Sequence, residues 1–178
     1  MKVPHLPLQR LGLVLGGASS GKSAFAEGLV LATGLPRAYL ATAEAWDDEM
    51  RERIRDHREA RGPLWRTVEA PLEAAEALGA IPEAEAVLLD CATLWLSNVL
   101  LANRDPQAEW LRLRAALLAR TSPVVVVSNE VGMGVVPDTP LGRVFRVAQG
   151  RLNQALAADA DLAVLVAAGL PLVLKGSL

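Results

Sequence analysis

The run Gly16-Gly17-Ala18-Ser19-Ser20-Gly21-Lys22-Ser23 constrains this chain more than any other stretch. It fits G-x-x-x-x-G-K-[ST]; the apolar segment Leu11–Leu15 precedes it and a helical pattern over Lys22–Ala32 follows it. Its glycines let the backbone curl so that successive N–H groups point inward, and a helix N-terminus adds partial positive charge. Such a turn cradles phosphate, with Lys22 placed for the β- and γ-phosphates and the Ser23 hydroxyl for Mg²⁺. The alternative, a glycine-rich strand–helix turn that binds nothing, is disfavoured by the strand, the pattern and the helix occurring together. The motif predicts nucleoside triphosphate binding and is silent on what the triphosphate does.

The rest of the chain supplies the scaffold such a loop needs. Short apolar runs predict strands at Leu11–Leu15, Arg37–Ala41, Ala86–Asp90, Pro123–Ser128 and Leu162–Val166, with Pro171–Leu174 as a last hairpin or edge strand. Helical patterns lie between them at Lys22–Ala32, Asp47–Arg61, Pro71–Leu78, Thr93–Leu101, Gln107–Ala119 and Leu141–Ala158. Uninterrupted apolar runs such as Val124–Val127 suit strands buried on both faces, so the expected fold is a three-layer α/β arrangement with a mostly parallel sheet flanked by helices. Its 178 residues fit one domain, expected over residues 11–178 behind an N-terminal extension at residues 1–10.

Composition removes several classes. A formal charge of −2 gives no global field for nucleic acid. The single Cys91 excludes an internal disulfide and a cysteine-based zinc cluster, and makes the cytoplasm the default compartment. The longest apolar run, Leu162–Leu174, is interrupted by Gly169 and Pro171 and falls short of the roughly 20 residues a spanning helix needs, so no membrane insertion is expected.

Acidic partners for the loop follow from strand ends. Ala86-Val87-Leu88-Leu89-Asp90 puts a carboxylate at the carboxyl end of a predicted strand, where an open α/β sheet binds its ligand and where Asp90 can hold Mg²⁺. Glu69, closing Trp65-Arg66-Thr67-Val68-Glu69, has a similar form; a solvated strand end is the alternative there. Of the two histidines, His5 lies in a proline-flanked N-terminal segment. His57 shares one side of the Asp47–Arg61 pattern with Met50 and Ile54, with Arg53 and Arg61 a turn to either side. Guanidinium neighbours favour a neutral, nucleophilic imidazole, and they can grip nucleotide phosphates. Spacing alone favours the plainer reading of a salt-bridged surface helix.

A further polar group, Ser128-Asn129-Glu130, ends the Val124–Val127 strand and leads into Val131-Gly132-Met133-Gly134-Val135-Val136-Pro137. Together with Gly16–Ser23, Ala41-Thr42-Ala43, Asp47–His57, Trp65–Glu69, Asp90–Trp95 and Gly150–Gln154, this order of segments resembles the bifunctional adenosylcobinamide kinase/adenosylcobinamide-phosphate guanylyltransferase family of cobalamin biosynthesis. The likeness runs from about Leu11 to Lys175. It implies a P-loop fold related to RecA, a homotrimer, and two reactions: phosphorylation of the cobinamide aminopropanol hydroxyl by ATP or GTP, then GMP transfer from GTP onto that phosphate. The family's guanylylated histidine falls on His57, which reverses the reading from spacing. Implied nucleotide contacts are Gly16, Gly17, Ala18, Ser19, Ser20, Gly21, Lys22, Ser23, Ala41, Thr42, Ala43, Arg58, Glu59, Ala60, Arg61, Glu69 and Asp90, with Ser23 and Asp90 toward Mg²⁺. Ala60 stands where the family often has glycine or a polar residue, which points to a backbone contact there. The rival readings are a small-molecule kinase that does not use His57 and a RecA-like ATPase module.

Overall fold

The computed structural model describes residues 10–44 and 62–178, together with Asp48, Glu52 and Arg55. Among them are strands β1 (Leu11–Gly16), β2 (Arg37–Ala41), β3 (Trp65–Glu69), β4 (Ala86–Asp90), β5 (Val124–Asn129), β6 (Leu162–Ala167) and β7 (Leu170–Lys175). The helices are α1 (Lys22–Ala32), α2 (Ala74–Ala80), α3 (Ala92–Leu101), α4 (Pro106–Ala119) and α5 (Pro140–Asp159). Asp48, Glu52 and Arg55 are helical, and Arg55 donates to Glu52 at 3.2 Å; the remainder of the helix expected over Asp47–Arg61 lies outside the described residues.

All seven strands join one sheet in the order β3-β2-β4-β5-β1-β6-β7. Every pairing is parallel except β6 with β7, an antiparallel hairpin at the edge. Period-two alternation sends Leu11, Leu13 and Leu15 to one face and Val14 to the other. On the first face Trp95, Leu113, Leu152 and Leu156 from α3, α4 and α5 cover the sheet; on the second, Phe25, Ala26, Leu29 and Val30 of α1 do. Apolar residues on both faces are what a covered parallel sheet requires, and this is why the central strands read as unbroken runs.

Three differences from expectation have local causes. Helices α4 and α5 each start one residue early, at a proline in the first turn, where a missing N–H costs nothing. Asp105 and Thr139 cap them, accepting from Gln107 N at 2.9 Å and Gly142 N at 3.2 Å. The helix expected over Pro71–Leu78 instead runs Ala74–Ala80, because the carbonyls of Pro71 and Leu72 are taken by Asn98 Nδ2 at 3.1 Å and Trp95 Nε1 at 3.1 Å. Trp65–Glu69, not among the expected strands, pairs with β2 along its whole length.

The topology fixes where a ligand can sit. From β1 the chain crosses the second face through α1 and returns beyond β5 and β4, at β2. From β5 it crosses the first face through α5 to β6, on the far side of β1. Neighbouring strands whose exits diverge leave a crevice at their carboxyl ends, and here that crevice lies between Gly16 and Asn129.

Candidate active site

The Gly16–Ser23 segment occupies this crevice. Gly16 has no room for a side chain: a Cβ there meets the Ser20 side chain and lies 2.7 Å from Val166 O. Ser19 and Gly21 take positive φ of 55° and 90°, curling the loop back on itself. Ser20 N donates to Gly17 O at 3.3 Å, and Lys22 Nζ donates to the same carbonyl at 3.0 Å. Gly17, Ala18, Ser19 and Gly21 are exposed, while Lys22 and Ser23 are half-buried in the first turn of α1. No side chain caps α1, which leaves the N-terminal end of the helix without a side-chain acceptor, as an anion site requires. The loop is braced from the β6–β7 turn, where Gly169 N donates to Ser20 O at 2.9 Å.

Ala41, Glu69 and Asp90 form one row across the sheet edge, with Ala41 the register partner of both. Asp90 Oδ2 accepts from Tyr39 Oη at 3.0 Å, and the Tyr39 ring stands edge-on to Trp65. Thr42 is wholly buried: its hydroxyl donates to Cys91 O at 2.7 Å and accepts from Cys91 N at 2.8 Å. Its side chain therefore ties β2 to the end of β4, and its backbone is engaged as well: Thr42 N donates to Asp90 O at 3.3 Å and Thr42 O accepts from Asn98 Nδ2 at 2.9 Å. Thr42 thus holds the strand end and is not itself open to a ligand. Ala43 is half-buried beside it. Burial, and after it the charge of Asp90, push the Cys91 thiol up to about 11, so it stays protonated and unreactive. Glu69 is exposed and lines a shallow cleft of about 320 Å³ with Glu44, Pro71, Leu72, Glu73 and Glu76. This cleft flanks β3 and is separate from the β1–β5 crevice. His57, Arg58, Glu59, Ala60 and Arg61 lie outside the described residues.

One group at the crevice was flagged by sequence only as a polar strand end. Asn129 N donates to Thr93 Oγ1 at 2.7 Å, and Asn129 O accepts from Asn153 Nδ2 at 3.1 Å. Behind it, Ser128 Oγ donates to Asn153 Oδ1 at 2.7 Å, and Gln149 Nε2 donates to both of those oxygens at 2.9 Å. Ser128 and Gln149 are completely buried. A signal for this was present: Gln149 and Asn153 are four apart, on the same helical stripe as Leu152 and Leu156, a polar pair on a core-facing side.

As a metal site, Ser23 and Asp90 supply a hydroxyl and a carboxylate, the hard oxygen donors Mg²⁺ takes. No cluster of three or more His, Cys, Asp or Glu able to hold a metal occurs among the described residues. A nucleotide-bound Mg²⁺ does not need one, since it keeps waters and phosphate oxygens in most of its positions. The donor set fits. Among the described residues, no helix is long and apolar enough to cross a membrane.

Comparison with known proteins places these features in context. Residues 12–174 match the family model described as cobinamide kinase / cobinamide phosphate guanyltransferase. The bifunctional adenosylcobalamin biosynthesis protein CobP of Pseudomonas aeruginosa is 45% identical over 168 residues, covering 92% of this chain and 96% of that protein. CobU of Escherichia coli, carrying the same bifunctional description, is 41% identical over 179 residues, covering 92% and 98%. Among solved structures, the flagellar accessory protein FlaH of Methanocaldococcus jannaschii superposes with a TM-score of 0.55 at 9% identity, covering 97% of this chain and 80% of that one. A type III secretion ATPase from pathogenic bacteria gives 0.56 at 12% identity, covering 89% and 51%. At such identities these two likenesses speak to the fold alone.

Proposed function

From the membership of this chain in the cobinamide kinase / cobinamide phosphate guanyltransferase family, we infer that it carries out both reactions of that family. Adenosylcobinamide is first phosphorylated on its aminopropanol hydroxyl by ATP or GTP. GMP from GTP is then joined to that phosphate, giving adenosylcobinamide-GDP and pyrophosphate. The carrying observation is the family match across residues 12–174, which spans the phosphate loop, the acidic strand ends and the Asn129 tip alike.

In this reading Gly16–Ser23 hold the triphosphate through backbone N–H groups, and Lys22 leaves Gly17 O to meet the transferring phosphoryl group. Ser23 and Asp90 would hold Mg²⁺, which when bound neutralises charge on the phosphate oxygens. The Tyr39 hydrogen bond fixes one Asp90 oxygen and so sets the orientation of the carboxylate. Ala41, Ala43, Arg58, Glu59, Ala60, Arg61 and Glu69 complete the nucleotide contacts, while the buried Thr42 serves them only by holding the end of β2 against Cys91. Residues 11–178 act as one catalytic domain behind the extension at 1–10.

GMP transfer goes through His57. Its imidazole nitrogen bonds to the α-phosphorus of GTP as the bond to the pyrophosphate oxygen breaks, and the ring N–H proton passes to solvent. The cobinamide phosphate oxygen then attacks the same phosphorus and frees the histidine. A homotrimer and a cytoplasmic location belong to the same reading. Supporting assembly is exposed apolar surface on β7 (Leu170, Leu172, Leu174) and on the loop and helix after β5 (Met133, Val135, Val144, Val147).

The test is incubation with α-labelled GTP. The wild-type chain is expected to take up label that is released by acid and retained in base. Replacing His57→Asn keeps size and polarity, so GTP binding is expected to persist while label uptake and adenosylcobinamide-GDP formation are lost. GMP transfer at a wild-type rate by that variant would exclude covalent catalysis through His57 and leave direct transfer between bound substrates.

A further inference from the structure

Asn129 ends β5 directly opposite Gly16, and the chain continues from it as Glu130, whose N–H donates to Gly16 O at 3.2 Å. It thus stands at the point where β1 and β5 send their chains to opposite faces. Its backbone is gripped from two helices, by Thr93 on α3 and Asn153 on α5, with Ser128 and Gln149 completing the network behind it. Burying four polar side chains among valines and leucines is a demanding way to hold a strand end, since each costs about 1–3 kcal/mol if left unpaired. What they fix is the backbone from which a side chain with an unmet requirement projects. Asn129 Oδ1 is buried and has no hydrogen-bond partner among the described residues.

A carboxamide oxygen only accepts, and the phosphate chain of a nucleotide offers acceptors in its turn. Lys22 Nζ donates to Gly17 O, and the ribose and base donors of a nucleotide lie at the far end of its triphosphate from the γ-phosphorus. That leaves the hydroxyl to be phosphorylated as the donor the reaction brings to the γ end. We propose that Asn129 is a further catalytic residue of the kinase reaction, its Oδ1 accepting a hydrogen bond from the attacking hydroxyl and turning that oxygen's lone pair toward the γ-phosphorus. This rests on the kinase reading above. In the step, the hydroxyl oxygen bonds to the γ-phosphorus, the bond to the β–γ bridging oxygen breaks, and the nucleoside diphosphate leaves. The hydroxyl proton passes to an oxygen of the transferred phosphoryl group. Asn129 takes no proton; it orients the nucleophile, while its backbone partners on α3 and α5 are positioning residues.

The two activities separate this role from a structural one. In GMP transfer the acceptor is a phosphate monoester, which at pH 8 is ionised (second pKa about 6) and has no proton to offer Oδ1. Asn129→Ala is expected to lower kinase kcat about 100-fold, the scale of a misplaced reacting group, with nucleotide KM changed less than threefold. GMP transfer to supplied cobinamide phosphate is expected to fall less than threefold. Asn129→Asp keeps the shape and the acceptor oxygen, and is expected to hold kinase kcat within tenfold of wild type while raising nucleotide KM through its charge. Should the alanine variant unfold early in a thermal melt, the isosteric Asp variant decides: a kcat loss as deep as 100-fold there overturns the proposal. It is equally overturned if Asn129→Ala keeps kinase kcat within threefold, or if both activities fall together in a folded variant. A wild-type chain without kinase activity would instead sink the functional reading on which the proposal stands.

Discussion

At Gly16 the space a side chain would fill is already taken by Ser20 and by the carbonyl of Val166. The Ser20 hydroxyl is a side-chain end that can turn aside, but the Val166 carbonyl is backbone of β6, paired with β1, and cannot move cheaply. Gly16→Ala is therefore expected to cost about 1–3 kcal/mol, the range for overpacking a tight site, and to weaken nucleotide binding more than tenfold. Thermal unfolding and a nucleotide titration check the two halves, and binding within twofold of wild type would refute this account of the loop. The motif at Gly16–Ser23 was readable because its chemistry is local: eight consecutive residues make one turn. Thr42 shows the opposite case. Its hydroxyl is consumed by the backbone of Cys91, 49 positions away, and no spacing rule joins two residues brought together by β2 and β4 lying side by side.

Among the elements, strand β3 shows why a search for apolar runs is incomplete. Trp65-Arg66-Thr67-Val68-Glu69 alternates and is only partly buried, as an edge strand must be, whereas Val124–Val127 is buried throughout. The inner strands could be read because both of their faces meet helices. The edge strand β7 was still legible from its apolar residues, whereas β3, with Arg66, Thr67 and Glu69 among its five residues, suggested only a strand end at Glu69. The start of β5 rests on another element contact invisible in sequence. Arg120, just before it, is buried and donates to the carbonyls of Leu78, Ile81, Pro82 and Glu85 at 3.1, 2.9, 3.0 and 2.9 Å. One guanidinium thus satisfies the turn between α2 and β4. Arg120→Met fills similar volume but strands those carbonyls, and is expected to cost about 3 kcal/mol, or roughly 6–12 °C in Tm. A melt within 2 °C of wild type would show that water replaces the guanidinium. Between α4 and α5, Arg114 grips Asp159 with two hydrogen bonds of 2.6 and 2.9 Å, holding that carboxyl below its usual 3.8. A lowered carboxylate pKa stabilises the fold above the unfolded value, and the gain fades as pH falls through the folded one. Asp159→Asn is expected to be less stable than wild type at pH 7 and indistinguishable from it well below pH 3.8, as read from denaturation midpoints across pH.

For the molecule as a whole, layer order and strand alternation followed from the sequence, but the crevice did not. Its position depends on β5 lying between β1 and β4, an insertion that apolar runs of equal strength cannot reveal. That geometry brings the phosphate loop and Asn129 together and leaves the Glu69 cleft to one side. It also seals away the chain's single cysteine. Cys91 lies at the end of β4, buried, protonated and locked through its backbone to Thr42, so a thiol reagent reaches it only when β2 and β4 part. The rate at which such a reagent labels the native protein is consequently a clock for opening at the heart of the sheet. A saturating nucleotide favours the closed form by mass action and is expected to slow that clock by the factor by which it is in excess over its Kd. Labelling at the same rate with and without nucleotide would mean that Cys91 is freed by a fluctuation the phosphate loop does not feel.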